Sequence, residues 1–155
     1  MIDDLYSARI LTLAANLPHA GRLPSPQGTA ERVAKLCGSR AVVDVTLDDQ
    51  GRIAGFAQDV KACALGQAAA GVLGQSVIGA SVEEIRQARD ALAAMLKAGG
   101  EGPAGRFEGL RVLKPVADYP ARHASTLVAA EATLAAAEQA LAHRDAERTR
   151  LAGAA

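Results

Sequence analysis

The chain has 155 residues, of which 17 are basic and 17 acidic, so its formal net charge is zero. A neutral chain creates no net field that would attract nucleic acid or an anionic membrane, and its 3% aromatic residues are too few to stack single-stranded bases. Half of the residues are apolar, many of them alanine, which predicts helices packed through small side chains beside a modest sheet. The longest apolar runs are much too short to span a membrane.

The N-terminus and the cysteines together predict the compartment. Residues 1–4 carry two acidic side chains and lack the basic start of a secretory signal. The chain has two cysteines, Cys37 and Cys63, and without a secretory signal such thiols are expected to stay reduced. We therefore expect a cytoplasmic protein whose thiols are free for metal or redox chemistry.

The first predicted element is a helix from Ile2 to Leu17, in which apolar residues recur at helical spacing. Pro18 ends it. Residues 19–27 hold one glycine and two prolines, which predicts an irregular or extended segment. His19 lies in this segment, and because a functional histidine needs a nearby partner, we interpret it as a solvated surface residue rather than a ligand.

A β-hairpin is predicted in the middle of the chain. Apolar and polar residues alternate from Ala41 to Leu47, residues 48–51 form a turn that ends in glycine, and a second strand returns from Arg52 to Lys61. Because the two strands run in opposite directions from a shared turn, their outer ends lie side by side. The hairpin therefore brings Cys37 and Cys63 close together, although 26 positions separate them.

Two helices are predicted after the hairpin. Small residues favour a helix from Ala64 to Val77, so the second cysteine lies at its N-terminus. The next helix runs to about Lys97. It opens with a capping box, in which Ser81 and Glu84 each bond the other's backbone N–H, and the glycines at 99 and 100 end it.

The segment that follows has no clear period. Residues 101–106 are predicted to be a flexible connector because two of the six are glycine and one is proline. Residues 110–113 form a short apolar segment, and Pro115 and Pro120 bracket a further turn.

The last predicted element is an alanine-rich helix from about Pro120 to the C-terminus. Leu127, Leu134 and Leu141 recur in it every seven residues. So short a repeat favours an ordinary amphipathic helix over one that faces a partner, although both stay open. Residues 136–155 are expected to be a helical extension with a charged, frayed end. With no repeat and no second domain apparent, residues 1–155 are interpreted as one domain.

The candidate functional groups are two thiolates brought together by the hairpin and the imidazole of His123 at the start of the last helix. Zinc and iron–sulfur clusters both accept such ligands, and each normally takes four. Free cysteines also serve as small buried apolar residues, so both interpretations stay open on the residues alone. The sequence lacks the motifs of α/β-hydrolases, P-loop NTPases and zinc proteases.

Several segments resemble the NifU/IscU/SufU family of iron–sulfur cluster assembly scaffolds, in the family's order and at similar spacing. They are Cys37-Gly38-Ser39, the hairpin, residues 63–70, the helix with Arg89-Asp90, and residues 120–127. The resemblance covers the chain from the first helix to about Ala135. It implies a SufE/NifU-like α+β fold, with a small antiparallel sheet of about three strands packed against helices, to which a long C-terminal helix is added. A further strand would then lie within residues 29–36.

The resemblance also implies a function and a set of site residues. Such scaffolds build a cluster from iron and from sulfur delivered by a cysteine desulfurase, and pass it to acceptor proteins. Cys37 and Cys63 match the family's first two cysteines, and His123 matches the histidine of its His-Cys pair. These three are the expected ligands of iron or of an iron–sulfur cluster of the [2Fe-2S] type. Ser39, where the family usually has aspartate, is a weak additional metal ligand.

One departure from the family leaves the site incomplete. Ala124 stands where the third cysteine belongs, and its methyl group cannot bind iron or accept sulfur. A second copy in a homo-oligomer, a small thiol or another residue would have to supply the missing ligand. The protein is expected to be a scaffold or carrier rather than an enzyme.

Three alternatives stay open. The first is zinc held by Cys37, Cys63, His123 and a water. The second is a cluster-free interaction partner of a desulfurase. The third is a sulfur acceptor that takes persulfide sulfur on a cysteine.

Overall fold

The structure is a computed structural model that describes residues 6–154. The helices are α1 (Ala8–Ala15), α2 (Ala64–Ser76), α3 (Val82–Ala98) and α4 (His123–Ala154), and the strands are β1 (Gly28–Ala34), β2 (Ser39–Leu47) and β3 (Ile53–Lys61). Two 3-10 segments, Gly105–Asp118 and Pro120–Arg122, join α3 to α4. The predicted α+β class is confirmed. The predicted start of the first helix, at Ile2, lies outside the described residues.

The sheet is antiparallel, with β2 between β1 and β3. The predicted hairpin is present as β2 and β3, and Arg40 pairs with Lys61 at its open end. β2 begins at Ser39, two residues before the alternation predicts, because β1 pairs with β2 as far as Ser39. The additional strand that the family resemblance implied is β1, which lies along the other edge of β2.

The turn between β2 and β3 has the predicted form. The N–H of Gly51 donates to the carbonyl oxygen of Asp48 across 3.0 Å, and Gly51 has a φ of 79°, which glycine adopts without steric cost. The Asp48 carboxylate accepts hydrogen bonds from the backbone N–H groups of Arg52 and Gln50, and these bonds lower the pKa of Asp48. The turn is therefore held by both backbone and side-chain bonds.

Helix α4 occupies the centre of the fold, where it packs against β1 and β2 and also against α2 and α3. Leu127 and Leu134 are buried in the protein's own core, and so are the alanines at 129, 130, 132, 136 and 137 on the other faces of the helix. The expectation of an amphipathic helix is therefore wrong for this half of α4, because a helix between two layers is apolar all round. The buried leucines do not face a partner.

Small residues let the elements around α4 and α2 approach closely. A side chain at Gly28 of β1 would collide with the backbone of Ala136, and its Cβ would lie 2.7 Å from the backbone N of Ala140. A Cβ at Gly71 of α2 would lie 2.7 Å from the carbonyl oxygen of Leu13 in α1. The alanine-rich and glycine-rich composition therefore sets the spacing of the layers.

The connection from α3 to α4 differs from the prediction of a flexible connector, a short apolar segment and a turn. Residues 105–118 form 3-10 turns with a kink at Phe107, and the turns after the kink run through Pro115. The buried residues of this segment are three positions apart, which is the repeat of a 3-10 helix, and they are Phe107, Leu110, Leu113 and Val116. Arg106 is anchored rather than free, because it bonds Glu84 and the carbonyl oxygens of Ser76 and Ile78.

The irregular segment before β1 is tied to the sheet by a buried carboxylate. Asp44 of β2 is fully buried and accepts two hydrogen bonds from Arg22, one from the hydroxyl of Thr29 and one from the N–H of Leu23. Burial alone raises the pKa of Asp44, but these four bonds outweigh it and the net pKa is lowered. His19, in the same segment, is exposed as predicted.

The C-terminal extension stays helical to Ala154. Its charged turns are largely exposed, as predicted. However, the Arg148 side chain donates to the carbonyl oxygen of Asp49 across 2.7 Å, so the extension contacts the turn between β2 and β3. Fraying of the kind expected would begin beyond this contact.

Candidate functional site

Three parts of the fold bring the cysteines together at one end of the sheet. Cys37 lies in the turn between β1 and β2, directly before the first residues of β2. Cys63 follows β3 and is the N-cap residue of α2. Ser125 lies in the first turn of α4, and its hydroxyl contacts the hydroxyl of Ser39 at the start of β2. The open end of the hairpin therefore carries both cysteines, as the strand pairing predicts.

A chain of hydrogen bonds joins the two thiols through two serine hydroxyls. The sulfur of Cys37 lies 3.1 Å from the Ser39 hydroxyl oxygen, which lies 2.9 Å from the Ser125 hydroxyl oxygen. The Ser125 oxygen lies 3.1 Å from the sulfur of Cys63. Ser39 and Ser125 are both buried, so the bond between the two hydroxyls is shielded from water, whereas the bonds to the thiols are only partly buried. The thiols are thus fixed relative to one another.

Both sulfurs face an open depression with a volume of about 510 Å³. Its walls include Cys37, Gly38, Ser39, Lys61, Cys63 and Arg122. Cys37 is exposed and Cys63 is half-buried, and both are free thiols. A ligand or a partner's side chain can therefore reach the pair from solvent.

The environment of Cys37 favours its thiolate. The Ser39 hydroxyl lowers the pKa of the Cys37 thiol most, followed by the backbone N–H of Ser39, and the Ser125 hydroxyl adds a smaller effect. Partial desolvation acts in the opposite direction and is outweighed. The thiolate is the form that attacks sulfur and binds metal. Cys37 is therefore accessible to solvent, and its surroundings favour the reactive thiolate form.

His123 is the first residue of α4, and its ring is buried against the preceding 3-10 segment. The ring nitrogen Nε2 lies 3.0 Å from the carbonyl oxygen of Val116 and 3.2 Å from that of Ala117. Because a carbonyl oxygen only accepts, Nε2 carries a hydrogen and donates it, which in the neutral ring leaves the lone pair on Nδ1. The ring is outside the hydrogen-bond chain that links the thiols and does not line the depression.

The donor groups of one chain do not complete a metal site. Among residues 6–154, no three His, Cys, Asp or Glu side chains come together in a way that could hold a metal ion. Ala124, at the position of the missing cysteine, is exposed and offers only a methyl group. The two thiols alone would therefore not complete a four-coordinate metal site.

The sequence analysis did not predict the role of Ser125. The structure shows Ser125 as the residue that contacts both halves of the site. A Cβ at Gly66 would lie 2.9 Å from the carbonyl oxygen of Ser125, so that glycine lets α2 approach α4. The glycine three residues after Cys63 was the available signal for this contact.

The sequence that forms this hairpin and its two flanking cysteines matches a known protein family. Residues 5–137 match the family model described as the NifU-like N terminal domain. The chain belongs to this family. The match ends within α4, at residue 137.

Solved structures resemble this NifU-like chain over most of its length. The N-terminal part of a nitrogen-fixing NifU-like protein from Brucella abortus is 46% identical, with a TM-score of 0.86 over 90% of this chain and 96% of that one. A proposed iron–sulfur cluster assembly scaffold for the SUF system from Fervidobacterium islandicum AW-1 is 19% identical, with a TM-score of 0.78 over 87% of this chain and 98% of that one, and it shows a shared fold. None of the curated proteins compared matches this chain.

Within residues 6–154, no helix has both the length and the hydropathy needed to cross a membrane.

Proposed function

We propose that this NifU-like protein is an iron–sulfur cluster assembly scaffold or carrier that holds its cargo at Cys37 and Cys63. The observation that carries the proposal is the convergence of both thiols on one open depression, where two buried hydroxyls fix them. Family membership supports it, because the resemblance to the family implies that the two cysteines match the family's first two. The cargo follows from the chemistry of thiolates, which are the usual ligands of iron–sulfur clusters.

The two thiols are suitable ligands for an iron–sulfur cluster, but they are fewer than a cluster normally requires. A [2Fe-2S] cluster normally takes four protein ligands, and the described residues offer two thiols in one depression. A site with open positions suits a carrier that must release what it holds. The remaining ligands would come from His123 and from outside the chain.

His123 is the candidate for a third ligand, and because its ring does not line the depression, the first turn of α4 would have to move toward the thiols for it to bind the same cargo. Its Nε2–H bonds to the carbonyl oxygens of Val116 and Ala117 fix the orientation of the ring and leave Nδ1 with the lone pair. Histidine ligands in metal sites are commonly held in this way through the second nitrogen. Ser39 is a weaker candidate, because its hydroxyl already bonds Cys37 and Ser125.

A scaffold of this kind would have two partners, a cysteine desulfurase that delivers sulfur and an acceptor protein that receives the cluster. In the delivery step, the Cys37 thiolate attacks the outer sulfur of the desulfurase persulfide. The S–S bond of that persulfide breaks, the desulfurase leaves as a thiolate, and Cys37 keeps the sulfur as a new persulfide. The exposure of Cys37 and its lowered pKa favour this attack.

The same observations support a second candidate function, that of a sulfur acceptor without a cluster. An accessible thiolate is sufficient for this role, and no third metal ligand is needed. Zinc bound by Cys37, Cys63, His123 and a water is the alternative cargo, since open zinc sites use three protein ligands.

Anaerobic reconstitution with ferrous iron and sulfide tests the main proposal. We expect bound iron and acid-labile sulfide in the wild-type protein and their loss in Cys37→Ala and Cys63→Ala. His123→Ala is expected to lose iron to a chelator about tenfold faster than wild type. The matched control is His143→Ala, which removes an exposed histidine of the same helix and should behave as wild type.

The outcomes separate the candidates. A colourless wild-type protein without iron contradicts the scaffold proposal. If that protein instead gains the mass of one sulfur atom on Cys37 after incubation with a desulfurase and cysteine, the sulfur-acceptor role is supported. Tightly bound zinc that iron does not replace supports the zinc alternative.

A further inference from the structure

Two positively charged side chains line the depression beside the thiols, and the proposed function gives neither of them a role. Lys61 is the last residue of β3 and Arg122 is the last residue of the second 3-10 segment. Both are exposed, and within residues 6–154 neither side chain forms a salt bridge. By contrast Arg40, which pairs with Lys61 across the hairpin, is matched by Glu31 at 3.2 Å. Lys61 and Arg122 therefore bring positive charge to the depression that no carboxylate of residues 6–154 neutralises through a salt bridge.

The size and openness of the depression suit a small molecule. Its volume of about 510 Å³ lies in the range of small-ligand sites. Cys37 on its wall is exposed, so a ligand that enters can contact the thiol. Positive charge at the rim selects for a ligand that carries negative charge.

Charge also bears on what completes the cluster site. Two copies of this chain that met face to face at the depression would bring two Lys61 and two Arg122 side chains together. Like charges held close across an interface are unfavourable. A small anionic thiol would meet attraction instead of repulsion, and it would bring the kind of ligand that Ala124 cannot provide.

We infer that the depression binds small thiols that carry carboxylates, with Lys61 and Arg122 contacting the carboxylates beside the two cysteines. This binding step does not depend on the proposed function. The second part of the inference does: such a thiol supplies a cluster ligand in place of the cysteine that is absent at residue 124.

Thiol–disulfide exchange tests the binding step without any metal. In a Cys63→Ala background, the Cys37 thiolate attacks oxidised glutathione and the S–S bond breaks. One half leaves as glutathione thiolate and the other half remains on Cys37 as a mixed disulfide, which mass spectrometry counts. Hydroxyethyl disulfide, which is uncharged, gives the reference rate. The ratio of the two rates on one protein cancels the intrinsic reactivity of Cys37 and reports the attraction for anions.

A charge-reversal variant of Lys61 and Arg122 tests whether these two side chains attract the anionic disulfide. Lys61→Glu/Arg122→Glu is expected to lower the rate ratio about tenfold at low salt, and added salt should lower the wild-type ratio in the same direction. The control Arg9→Glu/Arg150→Glu makes the same change in net charge at exposed positions away from the site, with Arg9 lying beside Gln75 at the far end of α2. It should keep the wild-type ratio. Equal ratios in all three proteins, or an equal fall in both variants, would overturn the binding site.

Anaerobic reconstitution with reduced glutathione or with 2-mercaptoethanol then tests the second part. We expect native mass spectrometry to show a cluster that retains glutathione on a single chain. A cluster that forms equally well with 2-mercaptoethanol, or in a dimer without glutathione, overturns the ligand role but leaves the scaffold function standing. If no cluster forms with either thiol, the scaffold function is contradicted. The ratio of the two exchange rates then tests the anion-binding site on its own.

Discussion

The hydroxyl oxygen of Ser125 lies 3.1 Å from the sulfur of Cys63, across 62 positions of the chain. The same oxygen lies 2.9 Å from the hydroxyl of Ser39, which in turn bonds Cys37. One side chain of α4 therefore joins the start of α2 to the start of β2. The protein's own side chains therefore link the two thiols as a pair.

Removing this junction should weaken the fold. Ser125→Ala loses one buried and one partly buried hydrogen bond, and at about 1 kcal/mol for each bond we expect the free energy of unfolding to fall by about 2 kcal/mol. Urea denaturation measures the change. Ser76→Ala, a change to a half-buried serine at the other end of α2, should stay within about 0.5 kcal/mol of wild type. Equal stabilities of the two variants would show that the Ser125 bonds contribute nothing.

Restoring the missing thiol should improve the retention of iron. Ala124→Cys places a sulfur on the residue between His123 and Ser125, and a third protein thiolate should slow the loss of iron to a chelator by at least about tenfold. Ala152→Cys adds an exposed thiol near the end of α4 and controls for thiol content. If the two cysteine variants lose iron at the same rate, the gap at residue 124 is not what limits the site.

Ser39 should govern the ionisation of Cys37. Because the Ser39 hydroxyl is the main cause of the lowered pKa of Cys37, Ser39→Ala should raise that pKa and slow alkylation at neutral pH. The measurement is the pH dependence of iodoacetamide alkylation in a Cys63→Ala background, where Cys37 is the sole thiol. Its midpoint should lie below that of an ordinary cysteine and move upward in Ser39→Ala. An unchanged midpoint would contradict the assignment.

The buried Asp44 should make stability depend on pH. Its folded-state pKa is lowered from 3.8, so its contribution is fully present above the unfolded-state pKa and is lost as the pH falls through the folded-state pKa. Asp44→Asn should cost about 1.5–3 kcal/mol at neutral pH, the range for hydrogen bonds to a charged group, and should flatten the acid limb of the stability curve. The exposed Asp90, changed to Asn, is the control and should keep that limb.

The sequence predicts the hairpin and the meeting of the cysteines because strand alternation is strong from Ala41 to Leu47 and one short turn fixes the pairing. β1 has no such alternation, since Glu31, Arg32 and Val33 are all exposed. Its position came only from the family resemblance. Edge strands of this kind are specified by the neighbouring strand more than by their own residues.

Two other features escaped sequence reasoning for different physical reasons. The 3-10 segment carries apolar residues every third position from Phe107 to Val116, a period that belongs to neither an α-helix nor a strand. The surroundings of α4 were missed because alanines and threonines do not mark one face as buried. The leucine spacing suggested one buried face. Packing on both sides of the helix instead buries most residues of its first half.

The contribution of Ser125 could not be read from its residue type. A serine two residues after His123 is compatible with a surface position, a helix start or a bond to a distant thiol. Only the approach of α2 to α4, which Gly66 permits, selects the last of these.

The central claim, that Cys37 and Cys63 hold iron–sulfur cargo, is tested most directly by the iron and acid-labile sulfide content of the protein purified without oxygen. The account predicts iron and sulfide in about equal amounts in the wild-type protein, as a [2Fe-2S] cluster requires. It predicts neither in Cys37→Ala/Cys63→Ala. The same content in both proteins, or zinc without sulfide in the wild type, would contradict it.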